Sequence, residues 1–146
     1  MQKVVLLGST GSVGKSSLDV IEKNKDQYEI ACLVALSNEG LIEAQAKRHK
    51  KAKIYLQKPS GKLSYKKFIN KNDLLKLISG KDVDIVIAAI SGSDGLELIY
   101  HSIVSGKKVL IANKEPLVMA GEFIVNEAKK HGAQIIPIDS EHCSIH

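Results

Sequence analysis

Short, nearly unbroken apolar runs alternate with stretches where apolar residues recur every three or four positions, along the whole chain. The runs are Val4 to Leu7, Ile30 to Leu36, Lys53 to Leu56, Ile85 to Ile90, Val109 to Ala112 and Gln134 to Ile138. They are strand-length and rich in β-branched residues. Their continuous rather than alternating apolarity predicts strands covered on both faces, as in a parallel sheet. The periodic stretches predict helices over Ser12 to Asn24, Leu41 to His49, Asp73 to Ser79, Gly95 to Ser105 and Pro116 to Lys130. Gly80, Gly106 and Gly132 each follow a helical pattern at the C-cap position. Pro59 to Asn70 fits neither template and reads as a loop with a short helix. Strand alternating with helix predicts an α/β fold, a doubly wound, mainly parallel sheet with helices on both faces. No internal repeat or low-complexity tract interrupts it.

Composition narrows the class. A chain of 146 residues, 44% hydrophobic and 25% charged, is about one globular domain with its own core. No apolar run approaches the roughly 18 to 20 residues of a membrane span, so no membrane partner is expected. The first strand begins so close to Met1 that no room is left for a leader peptide. Cys32 falls inside a predicted strand and Cys143 near the last residue, which suggests neither a disulfide framework nor a zinc site. A reducing, cytoplasmic setting is the expectation. The net charge of +5 raises the question of nucleic acid. Its densest source, Lys47-Arg48-His49-Lys50-Lys51 followed by Lys53, lies at the end of a predicted helix, where cations complement the dipole. With aromatics at 4% there is no stacking platform, so the run reads as solvated surface and no nucleic-acid partner is expected. A basic surface does suit anionic cofactors and phosphorylated substrates.

The segment with the clearest chemistry is Gly8-Ser9-Thr10-Gly11-Ser12-Val13-Gly14, between the first predicted strand and the first predicted helix. Strand, glycine turn, helix is the context of a dinucleotide-phosphate site in a Rossmann-like domain. Glycines permit the tight turn and bring backbone close to a pyrophosphate, whose charge faces the helix N-terminus. A rival is the phosphate loop of nucleotide hydrolases, imitated by Gly14-Lys15-Ser16. That loop needs a glycine where Ser9 stands, and no aspartate ends the run Ile85 to Ile90 to help hold magnesium. The choice between NAD and NADP turns on the end of the second strand. Neutral Ser37 and Asn38 stand there and can donate to a 2′-phosphate, which favours NADP, although Glu39 follows directly.

Two further segments follow predicted strands, where ligands bind in open α/β sheets. Asn113-Lys114-Glu115 precedes Pro116, and the polar triplet reads either as a ligand contact or as a helix start capped by Asn113. In an extended backbone Asp139 and Glu141 project to one side, a pairing that suits a hard divalent cation or a merely solvated acidic turn. Two oxygens seldom complete a metal site. His142, His146 or a carboxylate from another segment are the candidate partners.

Gly8 to Gly14, Ala112-Asn-Lys-Glu115 and Asp139-Ser-Glu-His142, in this order and spacing, resemble the deoxyxylulose-phosphate reductoisomerase family. The resemblance covers essentially the whole chain but only the N-terminal third or so of such an enzyme. It implies an NADPH- and divalent-metal-dependent oxidoreductase of isoprenoid synthesis. Such an enzyme isomerises 1-deoxy-D-xylulose 5-phosphate and reduces the product to 2-C-methyl-D-erythritol 4-phosphate. Magnesium, manganese or cobalt would hold the substrate oxygens as Lewis acid and template. The resemblance implies that Thr10, Gly11, Ser12 and Val13 contact the NADPH phosphates and that Ser37 and Asn38 lie near the adenosine phosphate. Asn113 and Glu115 would face the cofactor. Lys114 and Ser140 would touch the sugar phosphate, with Lys114 and Glu141 counted as catalytic. Asp139 and Glu141 would bind metal, Glu141 also lying near substrate.

Many relatives carry a glycine and a basic residue where Leu36 and Ser37 stand. The implied phosphate clamp is therefore weaker here, or supplied by Lys47 or Arg48. Pro116 replaces the usual serine, which a first helical turn tolerates. The third metal-ligating glutamate, the substrate-phosphate pocket and the closing loop of such enzymes have no counterpart in residues 1–146. The expectation is a coenzyme-binding domain, inactive alone, from a protein that is homodimeric when whole. The alternatives are another NADP-dependent reductase, such as a semialdehyde or acyl-phosphate reductase, or a non-catalytic nucleotide-sensing module. The reductases need a cysteine at a helix start, which neither Cys32 nor Cys143 offers, and the sensing module needs no metal.

Overall fold

The structure, a computed structural model, describes residues 1–61, 65–90, 95–112 and 115–138. In chain order the elements are β1 (Gln2–Leu7), α1 (Ser12–Lys23), β2 (Tyr28–Ala35), α2 (Glu39–Arg48), β3 (Lys53–Leu56) and α3 (Lys71–Ser79). They continue with β4 (Ile85–Ala88), α4 (Leu96–Val104), β5 (Lys108–Ile111), α5 (Glu115–His131) and β6 (Gln134–Pro137). The strands pair in parallel throughout, as one six-stranded sheet in the order β3-β2-β1-β4-β5-β6. The doubly wound α/β reading is thus what the chain adopts.

The unbroken apolarity of the strands is explained by two cores. Val5, Leu7, Val34, Val86, Ala88 and Val109 pack with Leu74, Ile78, Leu98, Ile103 and Ile124 from α3, α4 and α5. Val4, Leu6, Leu33, Ile54 and Ile87 pack with Leu18, Ile21, Ile42 and Ala46 from α1 and α2. A register shift between Val4 and Val5, opposite Ile30 and Cys32, leaves Ala31 as an extra residue in β2 and keeps both strands in phase with the two cores.

Several predicted bounds move by one or two residues, α2 starting at Glu39, α3 at Lys71 and β4 ending at Ala88. β2 starts at Tyr28 rather than Ile30, because Tyr28 and Glu29 pair with Gln2 and Lys3. Among its described residues, Pro59 to Asn70 holds no helix. Ile54 on the outer edge of β3 donates to Lys67 O at 2.9 Å and accepts from Ile69 N–H at 2.8 Å, forming a bridge to Phe68. The exposed edge of the sheet takes this segment as a cover, and that pairing overrides any local helical preference. Helix α5 is kinked at Ala120 (φ −142°, ψ 27°), beside Gly121.

Candidate functional site

Because every strand runs the same way, all carboxyl ends meet at one edge of the sheet. Between β1 and β4 the strand order reverses and the covering helices change face, which creates a crevice there. Backbone bonds tie the edge together. Gly8 and Ser9 N–H both donate to Val34 O, at 2.7 and 3.0 Å, and Ala89 N–H donates to Leu7 O at 2.8 Å. Ala112 N–H reaches Ala88 O at 2.9 Å, and Ile138 N–H reaches Ile111 O at 2.8 Å.

The glycine turn sits at this crevice, and its three glycines have different duties. Gly8 has φ +87°, and a Cβ there would fall 2.4 Å from Ala89 O. A Cβ on Gly14 would fall 1.9 Å from Gly8 O, so these two are required by the fold itself. Gly11 is not. Its backbone is extended (φ −79°, ψ 174°), and a Cβ would meet only Gly8 O at an ordinary 3.7 Å. Gly11 is exposed and is the N-cap of α1, with no side-chain cap and no acidic residue in the first turn. Lys15 N–H to Gly11 O, 2.9 Å, closes the first turn of the helix. The amides of Thr10, Ser12 and Val13 have no acceptor among the described residues. Unpaired donors at the positive end of a helix, with no side chain over them, form a cradle for a phosphate group. The residues present fit a dinucleotide diphosphate.

Ser37 and Asn38 follow β2 at the same edge, and both are exposed. Asn38 Oδ1 accepts from Leu41 N–H at 3.2 Å as the N-cap of α2, which leaves its Nδ2 as a donor. The suggestion that Lys47 or Arg48 completes a phosphate clamp is corrected. Both lie in the last turn of α2, and Arg48 is roughly 15 Å along the axis from Asn38. Arg48 is moreover paired with Glu22 at 3.4 Å. The lysine that does reach this corner is Lys58, which the sequence did not single out. Its N–H donates to Leu36 O at 2.7 Å, and it is exposed with no carboxylate partner among the described residues. Only parallel pairing of β2 with β3 brings it there, so charge counting could not find it. Gln45 was missed as well, though a glutamine among Ile42 and Ala46 on the buried face of α2 was a readable sign.

Glu115 opens α5 and is exposed. Asn113, Lys114, Asp139, Ser140, Glu141, His142, Cys143 and His146 lie outside the described residues. Among the described residues no group of three or more His, Cys, Asp or Glu side chains gathers as a metal site. Cys32 is fully buried in β2, and burial pushes its thiol far above the usual range despite nearby Lys53. It is no nucleophile. No described helix is long and apolar enough to cross a membrane.

Comparison with known proteins gives consistent matches. A family model for 1-deoxy-D-xylulose 5-phosphate reductoisomerase matches residues 4–121. The chain is 41% identical, over 156 aligned positions, to the 1-deoxy-D-xylulose 5-phosphate reductoisomerase of Actinobacillus pleuropneumoniae serotype 5b (strain L20). That alignment covers 99% of this chain and 39% of the relative, so the chain spans about two fifths of the length of such relatives. A solved structure of DOX-P reductoisomerase in complex with NADPH, fosmidomycin and magnesium matches at TM-score 0.83 and 34% identity, over 97% of this chain and 37% of that one. The enzyme from Zymomonas mobilis in complex with NADPH matches at TM-score 0.82 and 35% identity, over 97% of this chain and 39% of that one.

Proposed function

The chain belongs to the 1-deoxy-D-xylulose 5-phosphate reductoisomerase family, and on that premise we propose that residues 1–146 are the NADPH-binding domain of such an enzyme. The observation that carries this reading is the α1 N-terminus at Gly11, which no side chain caps although the fold has room for a Cβ there. The amides of Thr10, Ser12 and Val13 hold the diphosphate. Ser37, Asn38 Nδ2 and Lys58 face the 2′-phosphate, with Lys58 supplying the charge that Ser37 lacks. Asn113 and Glu115 border the cofactor from the end of β5.

In the whole protein, the reaction is isomerisation of 1-deoxy-D-xylulose 5-phosphate and its reduction to 2-C-methyl-D-erythritol 4-phosphate. Reduced nicotinamide, when bound, supplies the reducing equivalents. Lys114 and Ser140 bind the sugar phosphate, and Asp139 and Glu141 contribute to a magnesium, manganese or cobalt site completed by residues outside this chain. A divalent cation there supplies Lewis-acid polarisation of the substrate oxygens. The whole protein is cytoplasmic and homodimeric in this reading.

The decisive test is titration of the folded chain with NADPH, read by nicotinamide fluorescence and by thermal shift. Saturable binding with a raised Tm is expected. No fluorescence change and no shift in well-folded protein would overturn the assignment. The chain alone is expected to turn over no substrate.

A further inference from the structure

Gln45, on the buried face of α2, is 2% exposed, and its Nε2 donates to Ser9 O at 2.9 Å across 36 residues of sequence. Its own Oε1 has no hydrogen-bond partner among the described residues, and neither has the buried Ser9 hydroxyl. Burying an amide with its oxygen unsatisfied is unfavourable, so the bond to Ser9 is the contact this residue is placed to make. The consequence lies one atom further along the chain. A peptide unit is planar and trans, so Ser9 C=O and Thr10 N–H point in opposite directions. Fixing the carbonyl towards Gln45 fixes the Thr10 amide in the opposite direction, away from α2. That amide has no acceptor among the described residues.

We propose that Gln45 is a positioning residue for the coenzyme diphosphate: it locks the Ser9–Thr10 peptide so that the Thr10 N–H is presented as a donor before the ligand arrives. The inference rests on the NADPH reading above. It also links the two halves of that site, because α2 carries Asn38 at its N-terminus and Gln45 on its buried face. Preorganised donors favour binding because little ordering remains to be done on association.

The test uses Gln45→Met, close in shape and length but without the donor, with NADPH and 2′-AMP as ligands. The second ligand carries the 2′-phosphate and no diphosphate. The unaltered chain must bind NADPH; if it does not, the coenzyme reading itself fails and this proposal with it. If it does, Gln45→Met is expected to weaken NADPH about tenfold while 2′-AMP binding stays unchanged. Equal affinity for NADPH in variant and parent overturns the proposal, and so does an equal loss for both ligands, which marks a structural role. Should the variant fail to fold, the unaltered chain still decides. The Thr10 amide resonance is expected to move on NADPH addition and to become protected from exchange, and an unmoved Thr10 amide overturns the proposal.

Discussion

Gly14 packs against Gly8 so closely that a single added methyl group would lie 1.9 Å from the Gly8 carbonyl oxygen. The neighbour in question is backbone, in a turn anchored to Val34 and abutting Ala89, so it has no flexible end to move aside. Gly14→Ala is expected to cost about 3 kcal/mol or more and to lower Tm by roughly 10 °C. Gly8→Ala adds a left-handed backbone penalty of about 1–2 kcal/mol to a comparable clash with Ala89 O. Thermal melts of the two variants check this; a Tm within 2 °C or so of the parent would disprove the packing argument.

Gly11→Ala should behave in the opposite manner. The new methyl group meets nothing closer than 3.7 Å and the backbone is in an ordinary region, so stability should stay within about 1 kcal/mol of the parent. A side chain at the N-cap faces the first-turn amides, so the methyl group is expected to crowd a phosphate bound there. NADPH affinity is expected to fall about tenfold or more, measured by fluorescence titration of a variant whose melt is unchanged. A stable variant that binds as tightly as the parent would place the diphosphate elsewhere.

The difference between these glycines also marks how far sequence carries. The parallel sheet and its two buried faces follow from patterning, because Val4 to Leu7 and Ile85 to Ile90 are apolar on both faces and a buried parallel sheet accommodates that. The position of the glycine turn follows from the same pattern. What patterning cannot supply is non-local pairing. Lys58 is brought beside Leu36 only by strand pairing, and Arg48 lies at the far end of α2, where it pairs with Glu22. The strand-edge cover at Phe68 belongs to the same class. Gln45 was half legible, since a polar side chain on an apolar helix face signals a buried partner but does not name it.

Asn38 separates capping from coenzyme choice. Its Oδ1 caps α2, and an aspartate would keep that bond while placing a carboxylate where the 2′-phosphate is proposed to lie. Asn38→Asp is therefore expected to leave Tm unchanged or slightly raised and to weaken NADPH at least tenfold, with NADH little affected. Lys58→Met should lower NADPH affinity by about tenfold with NADH again unchanged, since a charge-assisted contact is lost from one ligand only. Paired titrations with both coenzymes read the result. Parallel losses for NADPH and NADH would remove Ser37, Asn38 and Lys58 from the specificity corner.

Cys32 gives the fold a dependence on alkaline pH whose sign is set by burial. Burial raises the thiol in the folded state, so the folded protein keeps this proton after the unfolded chain has released it. The stabilising contribution is complete below the unfolded thiol's pKa of about 8.5 and is lost as pH rises above it, at about 1.4 kcal/mol per unit. In a Cys143→Ser background, urea unfolding at pH 7.5 and 9.5 should show a larger fall for Cys32 than for Cys32→Ala, by about 1.4 kcal/mol. The variant starts lower because deleting the sulfur leaves a void in the α3–α4 core, but its slope with pH is flatter. Thiol labelling supplies an independent reading. With Cys32 fully buried and hydrogen-bonded only weakly, to Leu33 O at 3.6 Å, modification should require unfolding and accelerate with urea. Rapid labelling of the native protein, or identical pH slopes in the two proteins, would show that this thiol is not sealed in the sheet.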